Sequence, residues 1–237
     1  MPFAQSSSAA DLESTSSQFF SIADSATLKP TGNFTIEAWI KLESIPATEA
    51  EIFASWVDDG IAYAGILFRV NSDGTVSLFS GKNTGLTYGT DFKGHTSTTV
   101  LSTGVWYHVA GVYDGSKLRV YINGTEEGTG TDWTNGAVYK ATNYVRIGDQ
   151  RYGGTTEMFF LDGIIDDVRL WSVVRTATEI ANNRSVELAG SESNLNAYWP
   201  FETALGGTNF SQSLSDTITI SDSLSKNAVG KILADTI

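Results

Sequence analysis

The chain has 237 residues, 41% of them hydrophobic and 18% charged, with a formal net charge of −12 and no cysteine. That length and apolar share suffice for one large core, and the lack of cysteine excludes disulfides and thiolate chemistry. With no cluster of Lys or Arg, the acidity speaks against nucleic acid and anionic membranes, whose binding needs positive charge facing phosphate. No apolar run reaches the roughly 18 residues of a membrane span, so no membrane insertion is expected. The excess carboxylates are read first as what keeps a β-rich surface soluble.

The first residues, MPFAQSSSAADLE, lack the basic stretch and the apolar stretch of a signal peptide. Residues 1–8 are read as an extension, with an export signal either carried by a longer parent or not needed. Strand signals follow at Gln18–Ile22 and Phe34–Leu42. In the second of these Ile36, Ala38 and Ile40 share one face while Thr35, Glu37 and Trp39 share the other, which points to a Trp beneath a loop. Glu51–Trp56, Ala64–Val70 and Val76–Phe79 come next, with Asn71-Ser72-Asp73-Gly74 as a hairpin turn. Val105–Tyr113 and Leu118–Ile122 form a hairpin around Asp114-Gly115, and Asn123-Gly124 supplies a further turn. Tyr144–Ile147, a long strand Met158–Trp171 and Ala197–Phe201 complete the series. Between the last two, Thr176 and Glu179 have the spacing of a capping box and start a short helix ending near Arg184. This density of strands reads as an all-β sandwich over residues 9–203. From 204 to 237 the chain is Ser/Asp-rich, with Leu214, Ile218, Ile220 and Leu224 alternating with small polar residues. It is read as a linker or stalk, or as a strand completed by a neighbouring chain, which makes it a route to homo-oligomers.

Four segments in order carry a family resemblance: NFTIEAWIKLES (33–44), WYHVAGVYDGSKLRVYINGTEEG (106–128), FLDGIIDDVRLWSVVRTATEI (160–180) and NLNAYWPFE (194–202). Together they resemble a LamG-type (laminin G-like) domain of the concanavalin A-like lectin/glucanase superfamily. The resemblance implies an antiparallel two-sheet jelly-roll sandwich with one short helix. It identifies a fold and leaves activity open, because relatives with this sandwich bind different ligands and some are enzymes.

Catalysis is not expected. Glucanase relatives use a Glu-x-Asp-x-x-Glu strand with two carboxylates at catalytic spacing, whereas Glu51-Ile52-Phe53 leads only to Asp58-Asp59, and Asp162, Asp166 and Asp167 have no glutamate at that offset. His108 lies inside a strand pattern as a structural residue and His95 in a polar loop, and no Gly-x-Ser-x-Gly elbow occurs. Calcium is the cofactor the resemblance implies. It would be held by Asp11, Ser14 and the Ser14–Ser17 carbonyls on one side and by Asp166 on the other, since a hard cation takes six to eight oxygens. Strand alternation puts Asp166 on a face with Ile164, Val168 and Leu170, and a buried carboxylate needs a cation or several donors. A hydrogen-bonded Asp166, or one paired with Arg169 or Arg175, meets the same need.

Sugar recognition requires aromatic faces and planar polar groups on loops. Candidates are Trp56 with Asp58 and Asp59, Tyr63, Tyr88 with Asp91, Trp133 with Asp132, and Arg151 with Tyr152. A single aromatic more often covers a core than touches a ligand, so only convergence distinguishes them. The functional expectation is a non-catalytic, calcium-stabilised, lectin-like recognition module on a cell or particle surface, binding a glycan. The alternatives are a structural or adhesion module of a larger surface, virion or phage-tail protein that binds a protein partner, and a polysaccharide-active enzyme.

Overall fold

The computed structural model describes residues 9–23, 25–82, 84–137, 144–152 and 156–201, together with the backbone of 218–220. In chain order the strands are β1 (Ala10–Leu12), β2 (Phe20–Ile22), β3 (Phe34–Leu42), β4 (Glu49–Asp58), β5 (Tyr63–Asn71) and β6 (Val76–Lys82). They continue with β7 (Phe92–Thr96), β8 (Trp106–Tyr113), β9 (Lys117–Ile122), β10 (Thr125–Glu126), β11 (Thr131–Asp132) and β12 (Val145–Ile147). The last are β13 (Gln150–Tyr152), β14 (Thr156–Met158), β15 (Gly163–Trp171), the helix α1 (Ala177–Asn183), β16 (Leu195–Trp199) and β17 (Ile218–Ile220).

These strands form two sheets. The first runs β1-β15-β3-β8-β9-β10, with β11 on β9 and β16 on β15; the second runs β17-β2-β12-β4-β5-β6-β7, with β13 joining β4 and β14. Among the described residues the strand pairings are antiparallel apart from one parallel step, Tyr152 against Asp58, and an isolated parallel bridge joins Tyr88 to Phe92. The fold is therefore an all-β jelly-roll sandwich with one helix. Alternation along β3 sends Phe34, Ile36, Ala38, Ile40 and Leu42 into the core, where they meet Ile66, Phe68, Val70 and Leu78 of the second sheet. Each such aliphatic or aromatic side chain contributes about 1.5–3 kcal/mol on burial.

Local signals set the turns. Asn123 and Gly124 take φ of 54° and 85°, as a two-residue hairpin turn needs. A side chain at Gly124 would place its Cβ 2.7 Å from Ala181, so α1 rests directly on this turn. The helix starts as expected, with Thr176 and Glu179 forming both halves of a capping box.

The outer face of the first sheet is covered. Ala110, Val112 and Tyr121 pack against Ile180 of α1. Beneath the same cover lies a buried polar layer. Arg169 donates to the carbonyls of Asn183 (2.9 Å) and Val186 (2.8 Å), and Trp39 Nε1 donates to the carbonyl of Arg184 (2.6 Å). His108 Nε2 sits 3.3 Å from Glu37 Oε2. Burial opposes the charge on both partners, yet the imidazole and the nearby Arg169 and Arg175 hold Glu37 below its usual range, while burial keeps His108 below its own. Trp39 is thus the ring beneath a loop that its strand position suggests.

The structure departs from the sequence reading at several points. The expected long strand 158–171 is two strands, β14 and β15, interrupted where Phe159 adopts φ 62° and Gly163 φ 147°. Asp166 does not share a face with Val168 and Leu170. A bulge between Asp166 and Arg169, with Asp167 at φ 51°, resets the alternation, so Ile165, Val168 and Leu170 enter the core and Asp166 faces outward opposite Trp39. His95 is not a solvated loop residue: it lies in β7, with Nδ1 3.0 Å from Thr131 Oγ1 and Nε2 2.6 Å from the Glu127 carbonyl. In the stretch expected to be a linker, Ile218–Ile220 runs antiparallel to β2 at the edge of the second sheet. The rest of residues 202–237, and the extension 1–8, lie outside the described residues.

Candidate functional site

The outer face of the second sheet is where exposed rings gather. Ala54, Trp56 and Leu67 point outward from β4 and β5, and Tyr63, Phe79 and Phe92 pack on them while staying partly exposed. Phe92 is the hub. Its ring centroid lies 4.6 Å from Tyr63, 5.3 Å from Tyr88, 6.2 Å from Trp56 and 6.4 Å from Phe79, mostly edge-to-face, and Trp56 stacks on Tyr63 at 5.4 Å. Trp56 is the base of the cluster at 6% exposure, whereas Tyr88 is 58% exposed on the β6–β7 loop.

Polar groups frame the rings. The Arg69 guanidinium lies 4.6 Å over the Phe79 ring, pairs with Glu49 at 3.3 Å and donates to Asn71 Oδ1 at 3.2 Å. Asp58 accepts from the Gly60 amide at 3.2 Å and from the Tyr63 hydroxyl; burial nevertheless pushes its carboxyl up. Asp59 is occupied within its own turn by the amides of Ile61 and Ala62, each at 3.0 Å. Asp91 shapes the loop that carries Tyr88, accepting from Thr84 Oγ1 at 2.6 Å and from the Thr87 amide at 3.0 Å. Those two donors hold its carboxyl below the usual range.

Trp56, Asp58, Asp59, Tyr63 and Tyr88 therefore lie in one region. Trp133 is corrected out of it: at 3% exposure it belongs to the main core and donates to the Gly136 carbonyl at 3.1 Å. Its partner candidate Asp132 pairs with Lys117 at 2.6 Å. Arg151 forms a separate group. It stacks 4.7 Å over the exposed ring of Tyr144 and shares Glu157 Oε1 with Arg146, at 3.0 and 2.9 Å. The backbone of Tyr152 pairs with Asp58, which brings β13 alongside the end of β4. Sequence reading missed Phe79, which closes an expected strand, and Phe92, which lies beside Asp91 in a segment not read as a strand.

At the other end of β4 is an acidic rim. Asp11, Glu13 and Glu43, all exposed, bring carboxylate oxygens within 4.8 Å of one another. Slight burial, with the charges of Asp11, Glu13 and Asp162, pushes the Glu43 carboxyl up. Ser14 is turned to Asp162, donating from its amide (3.2 Å) and its hydroxyl (3.1 Å), while its carbonyl accepts from Ser17 within a tight turn. Asp166 is 1% exposed and accepts from the Asp167 amide at 2.9 Å. It shares the outer face of β15 with Ile164, the residue opposite Asp11. The carboxylates that gather round Asp11 are Glu13 and Glu43, a donor set that suits a hard cation. A cleft of about 410 Å³ opens beside this rim, lined by Ser14, Ser44, Ile45, Phe160 and Asp162 among others.

Comparison with known proteins agrees with the architecture. A crystal structure of a protein from Bacteroides ovatus ATCC 8483, provisionally described as carbohydrate binding, is similar at TM-score 0.59 and 21% identity, over 78% of this chain and 49% of that one. The CBM40 of the Ruminococcus gnavus IT-sialidase, bound to α2,3-sialyllactose, matches at TM-score 0.55 and 16% identity, over 66% of this chain and 85% of that one. The heptameric SAP-like pentraxin of Limulus polyphemus matches at TM-score 0.52 and 18% identity, over 94% of each chain. At these identities the likeness is one of fold. An 80-residue stretch, 34% of this chain, is 30% identical to pappalysin-1 of Mus musculus and spans only 5% of that protein. The Laminin_G_3 model matches residues 14–181, and with most of the sandwich inside that match, the chain belongs to this family of the concanavalin A-like lectin/glucanases superfamily.

Proposed function

We propose that the chain is a non-catalytic carbohydrate-recognition module that binds sugar on the outer face of its second sheet, at a cell or particle surface. The observation that carries this reading is the convergence of Tyr63, Phe79, Phe92 and Tyr88 over Trp56 on a sheet face that stays partly exposed. Ring faces stack on sugar C–H surfaces, and Arg69 over Phe79 and Asp58 beside Tyr63 border them with groups able to bond hydroxyls. Asp58 is engaged by the Gly60 amide, as suits framing a ligand. The carbohydrate-binding descriptions of the Bacteroides ovatus and Ruminococcus gnavus proteins support the same reading. The test is a glycan array probed with wild type and with Tyr63→Ala and Tyr88→Ala. Binding that both variants weaken supports the proposal. No binding to any glycan, with tight binding to a protein partner, replaces it with an adhesion module, and polysaccharide cleavage replaces both.

Calcium is proposed as a stabiliser at the acidic rim of Asp11, Glu13 and Glu43, with Asp166 on the same face. A ligand bound only by the native state adds RT ln(1 + [L]/Kd), about 2.7 kcal/mol at 100-fold saturation. The rim and the rings lie at opposite ends of β4, and Glu49 to Trp56 spans roughly 23 Å at the rise of a strand. Calcium should therefore raise the melting temperature and leave glycan affinity unchanged, and EDTA should reverse the rise. A melting temperature indifferent to EDTA, or Asp11→Asn with a wild-type calcium response, would remove the site.

A further inference from the structure

Two exposed aliphatic side chains stand beside the ring cluster. Ile61, in the β4–β5 turn, is 75% exposed, and Leu86, in the β6–β7 loop, is 44% exposed. The two loops adjoin, since the Tyr63 amide donates to the Gly85 carbonyl at 3.0 Å, and both run directly into the rings at Tyr63 and Phe92. Each loop is clamped by a carboxylate. Asp59 gathers the amides of Ile61 and Ala62, and Asp91 gathers the Thr84 hydroxyl and the Thr87 amide. Gly85 packs so closely that a Cβ there would lie 2.5 Å from Asp91 Oδ2. Loops held this tightly keep Ile61 and Leu86 in water, where loose loops would let them fold onto the neighbouring rings.

We propose that Ile61 and Leu86 are specificity-determining residues that select a neutral sugar carrying a methyl group, an acetamido or 6-deoxy sugar, for the ring site. The inference rests on the carbohydrate reading above and goes beyond it by naming the substituent. Aliphatic side chains offer a hydroxyl no partner for the water it gives up, whereas a methyl group gains by leaving water. Asp58 and Asp59 stand in the same turn and raise the negative potential there, which disfavours an acidic sugar. The rings receive the pyranose face, and the aliphatic lip receives the substituent.

The test is titration calorimetry with matched sugars. Tetra-N-acetylchitotetraose and cellotetraose share a linkage and differ by an acetamido group in place of the C2 hydroxyl, and L-fucose and L-galactose differ by the C6 hydroxyl. Wild type should favour the methyl-bearing member of at least one pair by roughly tenfold, the usual discrimination for one such group in an apolar pocket. Leu86→Ser and Ile61→Ser should lower that ratio toward one while keeping the affinity for the partner sugar and the melting temperature. Tyr88→Ala should weaken both members of the pair equally. Equal wild-type affinities within both pairs, a ratio that survives both serine variants, or binding confined to acidic glycans would overturn the inference and leave the carbohydrate reading standing. Absence of binding to these sugars and to a broad array would overturn both.

Discussion

On the first sheet, β3, β8 and β15 turn Glu37, Trp39, His108 and Arg169 away from the core, and α1 with its flanking loops closes over them. On the second sheet, β4, β5 and β7 turn Trp56, Tyr63, Leu67 and Phe92 outward, and the rings stay partly open. The difference lies in what the outward residues offer a covering loop. Such a loop brings carbonyls and amides that must find partners, and each one left unpaired costs about 1–3 kcal/mol. Arg169, Trp39 and Thr35 supply those partners to the carbonyls of residues 183, 186, 184 and 173. A face of Phe, Tyr and Leu has little to give, so a lid there would bury orphaned polar groups, and a ligand that brings C–H surfaces fits better.

The largest test of this contrast is Arg169→Met. It leaves Asp167 without its buried cation, removes one of the charges that hold Glu37 low and takes the donors from the helix-end carbonyls, at a cost of about 3–5 kcal/mol by urea unfolding. Glycan affinity of the folded protein should not change. A loss below about 1 kcal/mol would mean that the cover does not depend on its polar layer.

The second test concerns a buried exception at the second sheet. Asp149 is 0% exposed; its carboxyl is pushed up to about 7 by burial, opposed by Arg146 and Arg151 and reinforced by Glu157. Glu51, likewise buried and raised, lies within electrostatic reach. The folded value stands above the ~3.9 of an unfolded chain. Ionisation is therefore disfavoured in the fold, and the associated stability is complete below the lower value and lost as pH rises through about 7. Asp149→Asn should raise the melting temperature at pH 8, by an effect on the order of 4 kcal/mol, and leave it nearly unchanged at pH 4. An equal shift at both pH values would show that Asp149 is not the group responsible.

On the open face, Tyr88→Ala should leave stability within about 0.5 kcal/mol while lowering glycan affinity roughly tenfold, about 1.4 kcal/mol. A variant that melts early without losing affinity would make Tyr88 part of the packing instead. The smallest expected effect is Thr176→Ala on the cover, about 1 kcal/mol from the lost cap, with no change in binding. Unaltered urea unfolding would show that α1 is held by Ile180 and the Arg169 contacts alone.

Turns and caps were legible because their chemistry is local: Asp114-Gly115, Asn123-Gly124 and Thr176 with Glu179 each need only neighbouring residues. The bulge at Asp167 was not, because nothing in IIDDVRL marks where the alternation slips, and the outward position of Asp166 follows from that slip. β7 also escaped notice. Phe92-Lys93-Gly94-His95-Thr96 has weak strand propensity, and Gly94 is there because any Cβ would collide with the Phe79 ring. Trp56, Tyr63 and Tyr88 were recognisable as candidates by residue type. Their hub Phe92, and the burial of Trp133, depend on contacts between strands distant in sequence.

β1 and β16 lie end to end along the same side of β15, both antiparallel to it, with Ala10 opposite Ile165 and Trp199 opposite Val168. About three residues of β15 separate the two, so the chain enters and leaves this sheet within roughly 10 Å. Ends that meet on one strand make the part of the sandwich from β1 to β16 a candidate for circular permutation without β17: a few glycines joining them would close the loop at little entropic cost, and new ends could open at the exposed turn residues Ser72 and Asp73.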